Sequence, residues 1–262
     1  MTIDLLKIIF DLPIRFHEIP LFKKELLHLQ NPKQDVWHNH VHDMDELDQE
    51  KSFKLIRIKE KQANFIRYPK IQFRAERVKT KTYASVWAIG EGVSTLKEFI
   101  DICTNYKIPW YNTSYQLAPG YIGVIDDFKI ELFNDLRLNE YSLTHFLPFN
   151  EDRYKQFKSL RFFDDKLKLI EQMILQNLYV FFESFNVQIP EKFAITVKTL
   201  DVKGFNTVKY KPKNSDETLS YVAVDLLVGI NALLPPEISL GNLKALGYGI
   251  LRPLQSKGFH DD

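Results

Sequence analysis

The pattern that most constrains the fold of this chain is an amphipathic helix predicted over residues 164–185. Its apolar side chains recur at helical spacing along one face: Leu167, Ile170, Ile174, Leu178, Phe181 and Phe185. Strand-like segments follow at 194–200, 207–211 and 221–227. The C-terminal half therefore mixes one long helix with several strands.

The N-terminal half shows the same mixture. We predict a strand over 7–15, a helix over 22–29, β-structure over 53–89, and a helix that opens at the capping box Thr95–Glu98. The segment around Leu147-Pro148 is the best candidate for a junction, so the predicted domains are 1–147 and 148–262. The predicted fold class is α+β, with two tandem ferredoxin-like (RNA-recognition-motif-like) domains.

Composition excludes several alternatives. The single cysteine, Cys103, excludes a disulfide framework and any four-cysteine zinc site. No apolar segment approaches the roughly 20 residues of a membrane span, and charged residues interrupt the apolar N-terminus, so no signal peptide is predicted. We expect a cytoplasmic protein. Because 35 basic residues nearly balance 34 acidic ones, overall charge predicts no partner.

Three histidines lie close together in the stretch Trp37-His38-Asn39-His40-Val41-His42. In an extended segment, side chains at alternate positions project to one face. Imidazoles titrate near neutral pH, so the cluster is suited to general acid–base catalysis, and neutral imidazoles also bind metals. A polar loop that happens to be rich in histidine is the third interpretation.

Positive charge is concentrated between Lys54 and Lys81. This stretch holds ten basic residues and two acidic ones, with Phe65, Tyr68 and Phe73 among them. Cations that hold phosphates, together with rings that stack on bases, are typical of single-stranded RNA binding. The alternative is a solvated strand face.

A glycine-bearing segment, Gly241 to Gly249, lies near the end of the chain. Glycines allow backbone N–H groups to approach phosphates closely, and Lys244 lies between them. The segment matches neither a Walker A loop nor a dinucleotide-binding fingerprint. A tight turn between strands is the alternative interpretation.

Taken together, these stretches resemble the CRISPR-associated endoribonucleases that cut precursor crRNA within its repeats (the sixth Cas family of the RAMP superfamily, in the branch with a His-Asn-His loop). The matching motifs are His38-Asn39-His40, Tyr68-Pro69-Lys70-Ile71-Gln72-Phe73, Ile89-Gly90-Glu91-Gly92, Phe149-Asn150-Glu151 and the segment Ile238–Gly249. The family's usual Ile-Gly-Leu-Gly-Lys is here Ile238-Ser239-Leu240-Gly241-Asn242, which makes Lys244 the candidate for the loop lysine.

The resemblance implies metal-independent RNA cleavage by attack of a 2′-hydroxyl, with no cofactor. The implied catalytic residues are His40, His38 and Tyr68, and the implied RNA-binding residues are Lys70, Gln72, Arg74, Gly241, Lys244, Gly247 and Gly249. The implied partner is CRISPR repeat RNA, without a membrane. Other CRISPR effector proteins and a second copy of the chain stay open as partners. The alternative function is an RNA-binding module of a CRISPR ribonucleoprotein that lacks catalysis.

Overall fold

The chain divides into two compact units, Ile3–Asp127 and Phe128–Asp262, the second of which also includes Met1–Thr2. The structure is a computed structural model, which describes residues 1–28, 68–103, 107–134, 137–191, 193–210 and 219–254. The domain boundary predicted after residue 147 falls inside the second unit, because the strand that precedes it pairs only within the sheet of that unit.

The first unit has a four-stranded sheet with two helices. Its elements are β1 (Thr2–Pro13), α1 (Ile19–Leu27), β2 (Ile71–Val78), β3 (Lys81–Ile89), α2 (Glu91–Cys103), β4 (Lys107–Trp110), β5 (Thr113–Gln116) and β6 (Pro119–Lys129). The sheet order is β2-β3-β1-β6, and β3 runs antiparallel to both of its neighbours. Each helix joins two strands that are not adjacent, which is the arrangement of the ferredoxin-like fold.

One face of this sheet packs against α1 through aromatic rings. The ring centroid of Phe22 lies 5.9 Å from that of Phe10 on β1 and 6.1 Å from that of Phe73 on β2, and all three residues are buried. Since side chains alternate between the faces of a strand, the odd-numbered positions of β2 face the helix. The even-numbered positions point to the opposite face.

That opposite face is also buried, and polar side chains lie on it among apolar ones such as Leu5 and Ile9. We call it the buried polar face, formed by Lys7, Gln72, Arg74, Glu76 and Trp87. Lys7 Nζ lies 3.3 Å from Glu76 Oε1, with side-chain exposures of 0% and 6%. The Arg74 guanidinium carbon lies 4.5 Å from the centroid of the Trp87 ring. Ion pairing and cation–π stacking reduce the free-energy cost of burying these charges.

The second unit repeats the strand order, with a short strand added at one edge and no α-helix over the described residues 231–249. After the two-residue β7 (Glu131–Leu132), its elements are β8 (Asn139–Phe146), α3 (Glu151–Ser159), α4 (Phe163–Ser184), β9 (Val197–Tyr210), β10 (Leu219–Ile230), β11 (Ala232–Leu233), β12 (Ile238–Ser239) and β13 (Ile250–Pro253). The sheet order is β12-β13-β8-β10-β9, with β8 antiparallel to both neighbours. Between β10 and β13, where the fold usually has its second helix, residues 231–249 form an irregular crossover with one 3₁₀ turn, Lys244–Leu246.

This architecture confirms the predicted fold class and the long helix, which runs over Phe163–Ser184. Two local predictions are wrong. The helix predicted to open at Thr95 begins at Glu91, and the strands predicted at 194–200 and 207–211 are one strand, in which Gly204 pairs with Asp225. Among the helices that the structure describes, none has the length and apolar character needed to cross a bilayer.

The Lys7–Glu76 pair generates a stability prediction. Lys7→Met should lower the free energy of unfolding by about 3–5 kcal/mol, because it removes the cation beside a buried carboxylate. The double variant Lys7→Met/Glu76→Leu should recover much of this loss, since it removes both charges. Equilibrium unfolding in urea measures both effects.

A matched control is the pair Lys155–Glu151, 2.6 Å apart, whose side chains are 67% and 80% exposed. Glu151→Gln should change stability by less than about 1 kcal/mol. The expected coupling concerns the buried pair Lys7–Glu76. It would be contradicted if the decreases in the free energy of unfolding from Lys7→Met and Glu76→Leu simply added in the double variant.

Candidate functional site

The two histidines predicted to be catalytic, His38 and His40, lie outside the described residues, as do His42 and the whole part of the basic stretch that precedes Tyr68. Their roles stay predictions. His17 lies shortly after β1 in the 3₁₀ turn Phe16–Glu18, and its side chain is exposed.

Tyr68, Gln72 and Arg74 form one hydrogen-bonded chain. Arg74 Nη2 donates to Gln72 Oε1 at 2.6 Å, and Gln72 Nε2 donates to the Tyr68 hydroxyl oxygen at 2.9 Å. Tyr68 is 1% exposed, and Gln72 and Arg74 are fully buried. Tyr68 was predicted to be catalytic, and Gln72 and Arg74 were predicted to bind RNA, but none of the three side chains offers accessible surface to a ligand in this structure. Their geometry suits a positioning role.

The Lys70 side chain is 13% exposed, and the motif Ile89-Gly90-Glu91-Gly92 holds the residue in place. Its ammonium lies 2.5 Å from the Glu91 carboxylate, and its carbonyl oxygen accepts a hydrogen bond of 2.9 Å from the Ile89 N–H. A Cβ on Gly92 would lie 2.5 Å from that same carbonyl oxygen, so glycine is needed for the close approach. The motif that carried the resemblance thus has a structural role beside Lys70.

The glycine loop, which we define as residues 240–249, is anchored by hydrogen bonds to the end of β8 and to the residue that follows it. The Gly249 N–H donates to the His145 carbonyl at 3.0 Å, and the Asn242 N–H donates to the Leu147 carbonyl at 3.0 Å. The Leu240 N–H donates to the Gly249 carbonyl at 2.8 Å, which joins the first and last residues of the loop. The loop is therefore tied to the core of the second unit at both ends.

The three glycines predicted to bind phosphate use their N–H groups within the protein. Gly241 donates to Asn177 Oδ1 at 2.9 Å, Gly247 donates to the Lys244 carbonyl at 3.2 Å, and Gly249 bonds to His145 as described. All three have positive φ, of 87°, 73° and 65°, which side chains disfavour. Their expected role as backbone phosphate ligands is revised to that of shaping the loop.

Asn177 was not singled out from the sequence. It lies on α4, and its side-chain amide donates to the Met173 carbonyl at 2.9 Å while its oxygen accepts from Gly241. A polar residue directly beside Leu178, on the apolar face of a long helix, was the signal that could have identified it.

Lys244 is the cation of the glycine loop. It is partly buried, and burial lowers the pKa of its ammonium to about 8. Near that pH the charged and neutral forms of the Lys244 side chain coexist.

Tyr248 lies on the same loop. Burial, and then the neighbouring Tyr221, raise the pKa of Tyr248 to about 12, so its hydroxyl is neutral at physiological pH. In the ranges that the structure describes, no three histidine, cysteine or acidic side chains gather as metal ligands.

The chain is similar to known proteins in both halves. Residues 135–254 match the family described as the Cas6b C-terminal domain. A structure described as the crystal structure of Cas6b has a TM-score of 0.64 at 16% identity, covering 97% of this chain and 100% of that one. A crystal structure of the CRISPR RNA processing endoribonuclease Cas6b has a TM-score of 0.54, also at 16% identity and with the same coverage.

A third structure, of Csf5, a CRISPR-Cas type IV Cas6 crRNA endonuclease, has a TM-score of 0.55 at 13% identity and covers 97% of this chain and 99% of that one. No curated protein sequence matches the chain. The tandem ferredoxin-like fold places the chain in the structural class shared by these proteins. More particularly, the match of residues 135–254 to the Cas6b C-terminal domain agrees with the family resemblance of the sequence.

The anchoring of the glycine loop predicts a strong dependence on Gly249. A Cβ at this position would overlap the Leu240 carbonyl oxygen, and the backbone has the left-handed φ of 65°. We expect Gly249→Ala to destabilise the protein by about 2–4 kcal/mol, through the clash and the unfavourable φ. Thermal and urea unfolding measure the loss.

The matched control is Gly204→Ala, because no atom lies within 4 Å of a Cβ built at Gly204 in β9. It should change stability by less than about 1 kcal/mol. Equal losses of stability from Gly249→Ala and Gly204→Ala would contradict the close approach of Gly249 to the Leu240 carbonyl.

Proposed function

We propose that this protein is an endoribonuclease that cleaves precursor CRISPR RNA within its repeat. The observation that carries the proposal is the match of residues 135–254 to the Cas6b C-terminal domain. The whole-chain fold similarity to a CRISPR RNA processing endoribonuclease supports it. The resemblance of His38-Asn39-His40 to the family's histidine loop supplies the catalytic groups.

The proposed reaction is an in-line attack of a ribose 2′-hydroxyl on the adjacent phosphorus. A general base removes the proton of the 2′-hydroxyl, and the O2′–P bond forms as the P–O5′ bond breaks. A general acid then protonates the leaving 5′-oxygen, which gives a 2′,3′-cyclic phosphate and a 5′-hydroxyl. We assign these two proton transfers to His40 and His38, because imidazoles have pKa values near neutrality and need no metal.

The described residues contribute binding and positioning. Lys70 and Lys244 are the predicted cations that remain accessible, and each is suited to contact a phosphate. Tyr68, Gln72 and Arg74 are placed to fix the strand that begins at Ile71, directly after Lys70. They therefore act through the position of Lys70, without touching RNA.

Cleavage of a cognate repeat tests the reaction. We expect the cut to survive excess chelator, and to stop when the single 2′-hydroxyl at the cut site is replaced by hydrogen. Activity that is lost in chelator and restored by zinc or magnesium would overturn the imidazole mechanism. Binding of the repeat without cleavage would favour the non-catalytic RNA-binding module.

The assignment of the catalytic residues predicts that His40→Ala separates catalysis from binding. Single-turnover cleavage should slow by at least about 10²-fold, while RNA affinity changes by less than about tenfold. His38→Ala should act in the same direction. His42→Ala is the matched control and should have the least effect, because the motif ends at His40. A parent rate in His40→Ala together with a loss of activity in His17→Ala would move the site to His17.

Lys244 predicts a pH dependence of RNA binding. Its ammonium has a pKa of about 8, so affinity should fall as pH rises through that value and the positive charge is lost. A charge-assisted hydrogen bond contributes about 1.5–3 kcal/mol, which corresponds to a loss of about tenfold or more. The Lys244→Arg variant stays charged over this pH range, so its affinity for RNA should change little with pH. Dissociation constants between pH 6.5 and 9.5 at constant ionic strength measure the difference, and equal slopes for the two proteins would contradict it.

A further inference from the structure

The first unit has an open pocket where β1 meets α1. Its volume is about 740 Å³, and it is bordered by the end of β1, the start of β3 and the turn between β4 and β5. The side chains that matter for its chemistry are Arg15, Phe16, Glu18, Lys81, Trp110 and Tyr111. Pockets of this size hold small organic ligands. The cleavage chemistry proposed above uses none of these residues.

Tyr111 presents an aromatic surface that is fixed in place. It is 66% exposed, and its backbone has a φ of 52°, which is uncommon for a residue other than glycine. Its hydroxyl donates to the Glu18 carboxylate, and its ring meets the buried Trp110 ring at 74° with centroids 5.5 Å apart. The ring is thus held at two points while much of its surface faces solvent, and its positive φ belongs to the two-residue turn between β4 and β5.

Glu18 is itself held in place. One of its carboxylate oxygens accepts from Tyr111, and the other accepts from the Arg15 backbone N–H at 2.6 Å. Burial alone would raise the pKa of Glu18, but the Tyr111 and Arg15 hydrogen bonds and the charges of His17 and Arg15 bring it below its usual value. The bond to Glu18 raises the pKa of Tyr111. Around neutral pH the carboxylate is therefore ionised and the hydroxyl protonated, so the ring keeps its anchor.

The charge around the pocket favours an anionic ligand. Two exposed cations, Arg15 and Lys81, lie among its lining residues, against the single acid Glu18. Because both Glu18 oxygens already accept hydrogen bonds from the protein, its charge is partly neutralised. A flat ring beside two cations complements a molecule that has a planar face and a phosphate. A nucleotide has both.

We propose that this pocket binds one unpaired nucleotide of RNA, with its base stacked on Tyr111 and its phosphate at Arg15 and Lys81. The proposal rests on the proposed function and deepens it, because it names where a single-stranded part of the RNA is held. Stacking on an aromatic side chain with a cation at the backbone is how proteins bind unpaired nucleotides. The pocket lies wholly within the first unit.

The test uses the full chain and a short unstructured oligoribonucleotide with 2-aminopurine at its centre, whose fluorescence falls when the base stacks. We expect the parent protein to quench the probe, Tyr111→Ala to abolish the quenching, and affinity to drop about tenfold or more, since stacking contributes about 1–3 kcal/mol per base. Tyr111→Phe keeps the ring and should retain most of the quenching. Arg15→Ala should lower the logarithmic salt slope by about 0.7.

Tyr179→Ala is the matched control, since Tyr179 on α4 is 42% exposed and lies outside the pocket. It should leave both quenching and affinity unchanged. If Tyr111→Ala does not fold, the double variant Arg15→Ala/Lys81→Ala tests the same site through exposed residues and should weaken binding to a similar degree.

The outcomes separate this proposal from the proposed function. Cleavage of the repeat without Tyr111-dependent quenching overturns the pocket alone. Tyr111-dependent quenching by a protein that cleaves no repeat supports the pocket and overturns the endoribonuclease. Tyr111-dependent binding of a trimethyllysine peptide, with no binding of the oligoribonucleotide, would show that the pocket takes a cationic ligand and would overturn the assignment.

Discussion

The second unit depends on β8, which is hydrogen-bonded along both edges. It pairs with β10 on one side and with β13 on the other, so it is the strand that joins the two parts of the sheet. The residues at its end and just after it hold the glycine loop, through the carbonyls of His145, Leu147 and Phe149. One strand and its continuation therefore organise both the sheet and the irregular crossover. Because this crossover has no α-helix, its backbone polar groups need such partners elsewhere in the unit.

Periodicity in the sequence was enough to predict the class of fold and its longest helix, since amphipathic spacing reports directly on which face is buried. It was weaker at glycines. The segments 194–200 and 207–211 were predicted as two strands, yet they belong to one strand that includes Gly204, since an extended strand can include a glycine when its neighbours keep the ladder. The next helix after 53–89 was predicted to begin at Thr95, whereas α2 starts at Glu91, directly after Gly90. Local composition does not distinguish a glycine that ends an element from one that continues it.

The candidate site shows the same limit at the level of single residues. The family resemblance implied that Arg74 and Gln72 bind RNA, but whether a strand position faces solvent depends on what covers each face of the sheet. The ring contact of Phe73 with α1 identifies the helix side of β2, and burial of the other side could not be inferred from the sequence. The short motifs behind the family resemblance were informative in another way. The Asn150 side chain caps α3 by accepting a hydrogen bond from the Arg153 N–H, so this part of the family motif has a structural role.

The lowered pKa of Lys244 has a consequence for its chemical reactivity. At pH 7.4, a pKa of about 8 leaves about a fifth of the side chain as the free amine, against about one part in a thousand for an ordinary lysine. Only the free amine has a lone pair that can attack an electrophile, and Lys244 is partly accessible on the glycine loop. Acylating reagents should therefore meet a larger free-amine fraction at Lys244 than at the exposed lysines of α3.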